Sequence, residues 1–234
     1  MKRPYFVFIL VLFILISFSS LAYAKDMKEI EENLPKKGKD SYTVVVDLNE
    51  HKLYLINDFT KKIHKTYPIA GGKPSTPSPI GTWTIVDKAA GWGGGFGTRW
   101  MGMNVPWGQY GIHGTNKPLS IGGTISLGCI RMLNEDVEQL YKFVGVGTKV
   151  IIYGGAYGLD TNIFRTLIPG DRGADVYEVQ RRMQDRGFYS GRLDGVYGED
   201  MKAEVIKFRK YNKLSLTHYI DKEFYNALEI KPFE

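Results

Sequence analysis

Residues 42–56 read YTVVVDLNEHKLYLI, two runs rich in valine, tyrosine, leucine and isoleucine on either side of the polar group Asp47-Leu48-Asn49-Glu50. Branched and aromatic residues interrupted by a turn-forming cluster predict a β-hairpin. The same texture extends outward. KKIHKTYPIAGG (61–72) and GTWTIVDK (81–88) continue it, and KPSTPSPIG (73–81) separates them. The prolines of that segment cannot donate to a central ladder, so it is a loop. GWGGGFGTRWMGMNVPWGQYGIHGT (91–115) is rich in glycine and aromatic residues without helical periodicity, and TKVIIYGG (148–155) closes the β region as a strand. One helix interrupts the pattern, NEDVEQLYKFV (134–144). Asn134 is its expected N-cap, Glu135 and Asp136 suit the positive end of the helix dipole, and Val137, Leu140, Tyr141 and Val144 form one apolar stripe.

Beyond residue 153 the texture changes. DVYEVQRRMQDRG (175–187) puts Val176, Val179, Gln180 and Met183 on one side of a helix closed by Gly187. EDMKAEVIKFRKYNKL (199–214) does the same with Ala203, Val205, Ile206 and Phe208, and DKEFYNALE (221–229) is a third short helix starting at Asp221. The expected organisation is a mainly β domain over 41–153, a linker over 154–165 and a small all-α three-helix domain over 166–234.

The N-terminus predicts export. Lys2 and Arg3 precede an uncharged apolar run from Tyr5 to Ala22, and Ala22-Tyr23-Ala24 supplies the small residues of a cleavage site, so residues 1–24 are expected to be a signal peptide. An uncleaved anchor is the alternative, the run being close to the minimum of about 17 residues that spans a bilayer. Residues 25–40 are a charged lead-in. Glycine is abundant, 27 of 234 residues, against a usual share of about 7%. The formal charge is +6, two units of which reside in Lys2 and Arg3. That mild excess suits an anionic wall or membrane surface and gives no indication of nucleic acid.

The chain has a single cysteine, Cys129, within SLGCIRM (126–132). An exported chain stabilised by disulfides carries an even set, so a lone cysteine is a reactive thiol, an intermolecular partner or a buried apolar residue. A thiol nucleophile needs a base, because its ordinary pKa of about 8.5 leaves it protonated at neutral pH. Four histidines are available: His51, His64, His113 and His218. His51 and His64 lie in or beside solvated hairpins and His218 in the helical region. His113, in YGIHGTNKP, follows an apolar strand end and precedes a glycine turn, and a hairpin-like excursion can bring that turn to the one holding Cys129. Gly128 suits a turn that aims backbone N–H groups at an oxyanion. Arg131 shares the face of Cys129 if the segment is extended, where it can meet a carboxylate or form a surface ion pair.

IHGT followed by SLGCIRM, in order with VVVDLNEHKLYLI, STPSPIGTWTI and GGGFGTRWMG, resembles the YkuD-type L,D-transpeptidases over about residues 42–153. The resemblance implies a β-sandwich with a short helix near the site, and transfer of peptidoglycan stem peptides through a thioester that forms 3-3 cross-links. It implies Cys129 as nucleophile, His113 as base with the Gly114 carbonyl orienting its ring, Gly128 and Cys129 amides as oxyanion hole, and Arg131 and Ser126 at the substrate. No cofactor or metal is expected, the partners are tetrapeptide stems and glycan, and the protein is expected to be a monomer in the cell wall. Hydrolysis of the same thioester would make it an L,D-carboxypeptidase; a non-catalytic wall-binding protein is the rival outside enzymology. Cysteine before histidine, the papain order, is reversed here, and a redox thiol lacks a resolving partner. Leu127 stands where many members have histidine. LIPGDRGADVYEVQRRMQDRGFYSGRLDGVYGEDMKAEVIKFRKYNKL (167–214) resembles three-helix peptidoglycan-binding domains, with Met201 in place of the usual threonine and Lys213 in place of the usual glycine.

Overall fold

The structure, a computed structural model, describes residues 41–154 and 164–230. The expected signal peptide and lead-in lie outside the described residues, as does most of the expected linker. Ten strands and four helices are described: β1 (Tyr42–Asp47), β2 (Lys52–Asn57), β3 (Ile63–Pro68), β4 (Gly71–Gly72), β5 (Gly81–Ala90), β6 (Arg99–Met103), β7 (Tyr110–His113), β8 (Thr124–Ser126), β9 (Ile130–Arg131), α1 (Asn134–Phe143), β10 (Lys149–Tyr153), α2 (Ala174–Asp185), α3 (Glu199–Tyr211) and α4 (Lys222–Ala227).

The opening hairpin forms as its sequence predicts, with β1 and β2 antiparallel and Val44 opposite Leu55 and Val46 opposite Leu53. All four of these side chains are fully buried, so one face of the hairpin lines the core. Parallel pairing of β1 with β10 sets Val44 beside Val150 and Val46 beside Ile152. The sheet runs β3-β2-β1-β10-β5-β6-β7-β9. It is one curled sheet, and β5 makes the bend. Its first half, Gly81–Thr84, pairs with β10, and its second half, Ile85–Ala90, pairs with β6. Between them the register passes from Ile85↔Met103 to Asp87↔Gly102. Val86 is therefore the extra residue of a bulge, which turns the strand from one layer into the next. Residues of both layers, including Leu53, Leu55, Met101 and Ile112, meet in one core with Val137 and Leu140 of α1.

A second cluster belongs to the helical region, with Val176, Val179, Met183, Met201, Val205, Phe208 and Phe224 at its centre. Met201 is buried in it, so the departure from threonine adds apolar packing. Lys213 has φ 57°, the left-handed conformation that favours glycine. It follows α3 in a Schellman ending, where Lys213 N–H donates to Lys210 and Leu214 N–H donates to Arg209. Asp221 caps α4, its side chain accepting from Phe224 N–H.

One helix start differs from expectation. Leu133, not Asn134, is the N-cap of α1, and no side chain caps that end. The Asn134 side chain turns away from its own helix and accepts from the N–H groups of Thr98 (3.2 Å) and Thr115 (3.1 Å). Two separate loops there lack acceptors of their own, and one amide oxygen satisfies both. Among the described residues no helix is long and apolar enough to cross a membrane.

Candidate active site

β7 and β9 run parallel with Ile112 opposite Ile130 and His113 opposite Arg131. Strand alternation fixes the rest. Ile112 and Ile130 are fully buried in the core, so His113, Arg131 and, two residues before Arg131, Cys129 share the opposite face. The Gly111 backbone N–H is on that side and bonds to the Cys129 sulfur, which favours the thiolate. His51, His64 and His218 are elsewhere: His51 in the first hairpin turn, His64 on β3 and His218 in the loop before α4.

His113 is held on every side. Its Nδ1 is 2.5 Å from the Gly114 carbonyl oxygen. A carbonyl only accepts, so Nδ1 carries the proton and Nε2 keeps its lone pair. Trp100 stacks against the imidazole at 5.9 Å between centroids and Phe96 meets it edge-on at 5.1 Å. Trp100 is anchored in turn, its indole N–H donating at 2.7 Å to Asp87, the residue that follows the β5 bulge. Burial pushes the imidazole pKa down because the charged form loses its water; the Gly114 carbonyl opposes this and the Arg131 charge adds to it. Burial likewise pushes the Cys129 thiol up, against the Gly111 N–H and Arg131. Both shifts favour the uncharged forms of the two groups.

The turn before Cys129 is built by Ser126. This serine is fully buried, and its hydroxyl donates to the Cys129 carbonyl at 2.6 Å while accepting from Gly128 N–H at 2.9 Å. Two of the expected site residues are thus bonded to each other inside the turn. Ser126, expected at the substrate, has no exposed surface, and its hydroxyl both donates and accepts inside the turn. The Gly128 N–H, expected in the oxyanion hole, donates to Ser126 here. The Cys129 N–H, by contrast, has no acceptor among the described residues and stays available. Gly128 has φ 116°, and a Cβ there would lie 2.6 Å from Tyr110 Cε1 and 3.1 Å from the Pro77 carbonyl oxygen. Only glycine fits. The proline loop secures the same turn from outside, Lys73 N–H and Thr76 Oγ1 both donating to the Ser126 carbonyl at 3.1 Å.

Arg131 is half-buried, and its Nε has no partner among the described residues despite burial. Leu127 is 72% exposed beside the thiol. Sequence reasoning assigned no role to Tyr110, Gly111, Trp100, Phe96 or Asp87, and read Asn134 only as a helix cap; the GGGFGTRWMG block marked the region of Phe96 and Trp100 without distinguishing them. Among the described residues no group of three His, Cys, Asp or Glu side chains is placed to hold a metal.

Fold and site together define a curled-sheet protein whose lone thiol and buried imidazole share one strand face, joined to a three-helix module. Residues 41–152 match the family described as "L,D-transpeptidase catalytic domain", and residues 172–228 match "Putative peptidoglycan binding domain". The chain is 41% identical over 119 residues to "Putative L,D-transpeptidase YkuD" of Bacillus subtilis, covering 51% of this chain and 70% of that one. It is 45% identical over 111 residues to the protein of the same name in Bacillus licheniformis, covering 47% and 65%. The catalytic domain of an Enterococcus faecium L,D-transpeptidase solved by NMR is similar over 49% of this chain and 98% of that one, at 25% identity and a TM-score of 0.42. The chain belongs to the YkuD-type L,D-transpeptidase family. It spans about two thirds of the length of the two Bacillus relatives.

Proposed function

We propose that this protein is an exported L,D-transpeptidase that acts on peptidoglycan stem peptides through a thioester at Cys129. The observation that carries the reading is the placing on one strand face of a half-buried thiol and an imidazole whose Nδ1 is held by the Gly114 carbonyl. That arrangement leaves Nε2 to take the Cys129 proton as the sulfur attacks the carbonyl of the L-centre preceding a terminal D-residue. The oxyanion accepts from the free Cys129 N–H, a donor that is fixed before charge develops. Collapse expels the D-amino acid, whose amine takes the proton from His113, and leaves the thioester. An amine of a neighbouring stem, deprotonated by His113, then attacks the thioester; the new amide is the 3-3 cross-link and Cys129 recovers its proton. Water in place of the amine yields the carboxypeptidase reaction. Arg131, with its buried unpartnered Nε, is suited to a stem carboxylate. The matched peptidoglycan-binding module supports a place in the cell wall.

The test is incubation of the protein with a purified tetrapeptide-stem muropeptide, read by intact mass. A Cys129 adduct equal to the stem minus its terminal D-residue, absent in Cys129→Ala and accompanied by dimer, is the expected result. Unmodified protein and unchanged stem overturn the proposal. Adduct with tripeptide and no dimer assigns the carboxypeptidase outcome.

A further inference from the structure

The helical module meets the catalytic domain along an aromatic seam, and that seam ends at the cysteine turn. Trp107, in the loop between β6 and β7, is nearly buried. Its ring meets Trp83 of β5 at 5.2 Å, Tyr177 of α2 at 5.7 Å and Tyr110 of β7 at 6.3 Å; Trp83 also meets Tyr177, at 5.9 Å. Gly195, ahead of α3, closes on the indole from the helical side, where a Cβ would lie 2.3 Å from Trp107 Cε3. Ala174, Tyr177 and Val196 of the helical module pack on the catalytic core, not on the helical one. At the far end of the seam Tyr110 lies against Gly128, the left-handed residue directly before Cys129. Its phenol is held above its ordinary range by burial, which a hydrogen bond with Trp107 and the Arg172 guanidinium of the helical module oppose.

We propose that docking of the helical module through Tyr177 onto Trp107 holds Tyr110 against Gly128, and so fixes the Cys129 turn in the geometry that acylation requires. Tyr110 is then a positioning residue, and the helical module supports the active site in addition to any hold on glycan. This rests on Cys129 being the acylated residue. The physical reason is packing. A ring wedged among three others has one position, and removing one neighbour opens room into which the others shift. A glycine at positive φ keeps its conformation only while its surroundings dictate it. Displacing the Cys129 N–H by about 1 Å is enough to cost up to about 100-fold in rate.

The test uses the full chain and a glycan-free tetrapeptide stem, so that glycan binding cannot contribute. Two quantities are measured, the acylation parameters and the rate at which iodoacetamide alkylates Cys129. Tyr177→Ala is expected to lower kcat about tenfold or more while leaving KM within about twofold. The same variant is expected to speed alkylation, since a loosened turn exposes the thiol and relieves the burial that raises its pKa. Tyr177→Phe keeps the ring and behaves as the parent. Tyr110→Ala, which touches the turn without involving α2, reproduces the kcat loss and covers the case in which Tyr177→Ala misfolds. If Tyr177→Ala and Tyr110→Ala fold and leave both quantities within about twofold, or raise KM alone, the inference fails. If the parent does not acylate at all, the functional proposal fails, and alkylation rates unchanged or faster in Tyr177→Ala still decide the coupling of the module to the turn.

Discussion

Replacing Ser126 by alanine separates its role in the turn from a role at the substrate. The hydroxyl makes two hydrogen bonds, to the Cys129 carbonyl and from Gly128 N–H, with no exposed surface on the residue. Its removal leaves a buried carbonyl and a buried N–H without that partner, each at about 1–3 kcal/mol. A shared relaxation recovers part of this, so the expected loss is about 2–4 kcal/mol. At about 2–4 °C per kcal/mol for a domain of this size, the midpoint of thermal unfolding falls by about 5–15 °C. Calorimetry on Ser126→Ala and the parent measures it directly, and stem acylation below the new midpoint gives kcat and KM. The expected kinetic result is a fall in kcat, because the Cys129 N–H is displaced with the turn. An unfolding midpoint within about 2 °C of the parent, together with a raised KM and an unchanged kcat, would refute the reasoning and return Ser126 to the substrate.

Gly128→Ala forces a left-handed conformation on alanine and drives its Cβ into the Tyr110 ring; a stability loss of at least about 1–2 kcal/mol in urea unfolding is expected, and full stability would contradict the close packing of Tyr110 on this turn. Asn134→Leu deprives Thr98 and Thr115 N–H groups of their shared acceptor and is expected to cost about 2–4 kcal/mol, whereas Asn134→Asp keeps an acceptor and loses less, an order that unfolding curves can reverse. The pH profile of kcat/KM follows from the two shifts. Protonating His113 removes the base, and its lowered pKa puts the acid limb below the ordinary 6.5, while the raised Cys129 pKa puts the alkaline limb above the ordinary thiol range; an acid limb above 6.5 contradicts the assignment. Lys213→Gly removes about 1–2 kcal/mol of left-handed strain and adds up to about 1 kcal/mol of chain entropy to the unfolded state, so a net gain of about 0.5–1 kcal/mol in the helical module is expected, measurable as a shift in its urea midpoint.

Local pattern made most elements legible. Val44, Val46, Leu53 and Leu55 announce a half-buried hairpin by alternation alone, and Val176, Val179 and Met183 announce a helix by their spacing, because each pattern encodes which face meets the core. The bend in β5 was not legible. A bulge at Val86 depends on the register with Met103 and Gly102, a property of two strands together. Asn134 misled for a related reason. Its position and type fit a cap, but two backbone donors from elsewhere in the fold compete for its one oxygen, and a local rule does not count them.

At the site the same distinction decides what the sequence could reveal. Cys129, His113 and Arg131 are visible because their chemistry is unusual for their surroundings: a lone thiol, a histidine at a strand end, a guanidinium two residues on. Ser126 and Gly128 sit in the same heptapeptide, yet that they bond to each other was not visible, because a serine hydroxyl and a glycine amide are each as ready to satisfy the backbone as to bind a ligand. Burial alone distinguishes the two uses, and burial at this turn is set by Tyr110, Pro77 and Thr76, which the fold brings from other segments. A thiol whose support comes from so many segments is one whose reactivity responds to packing far from the sulfur. Substitutions along the seam at Tyr177 and Trp107 therefore belong in the same experiments as substitutions at Cys129 and His113.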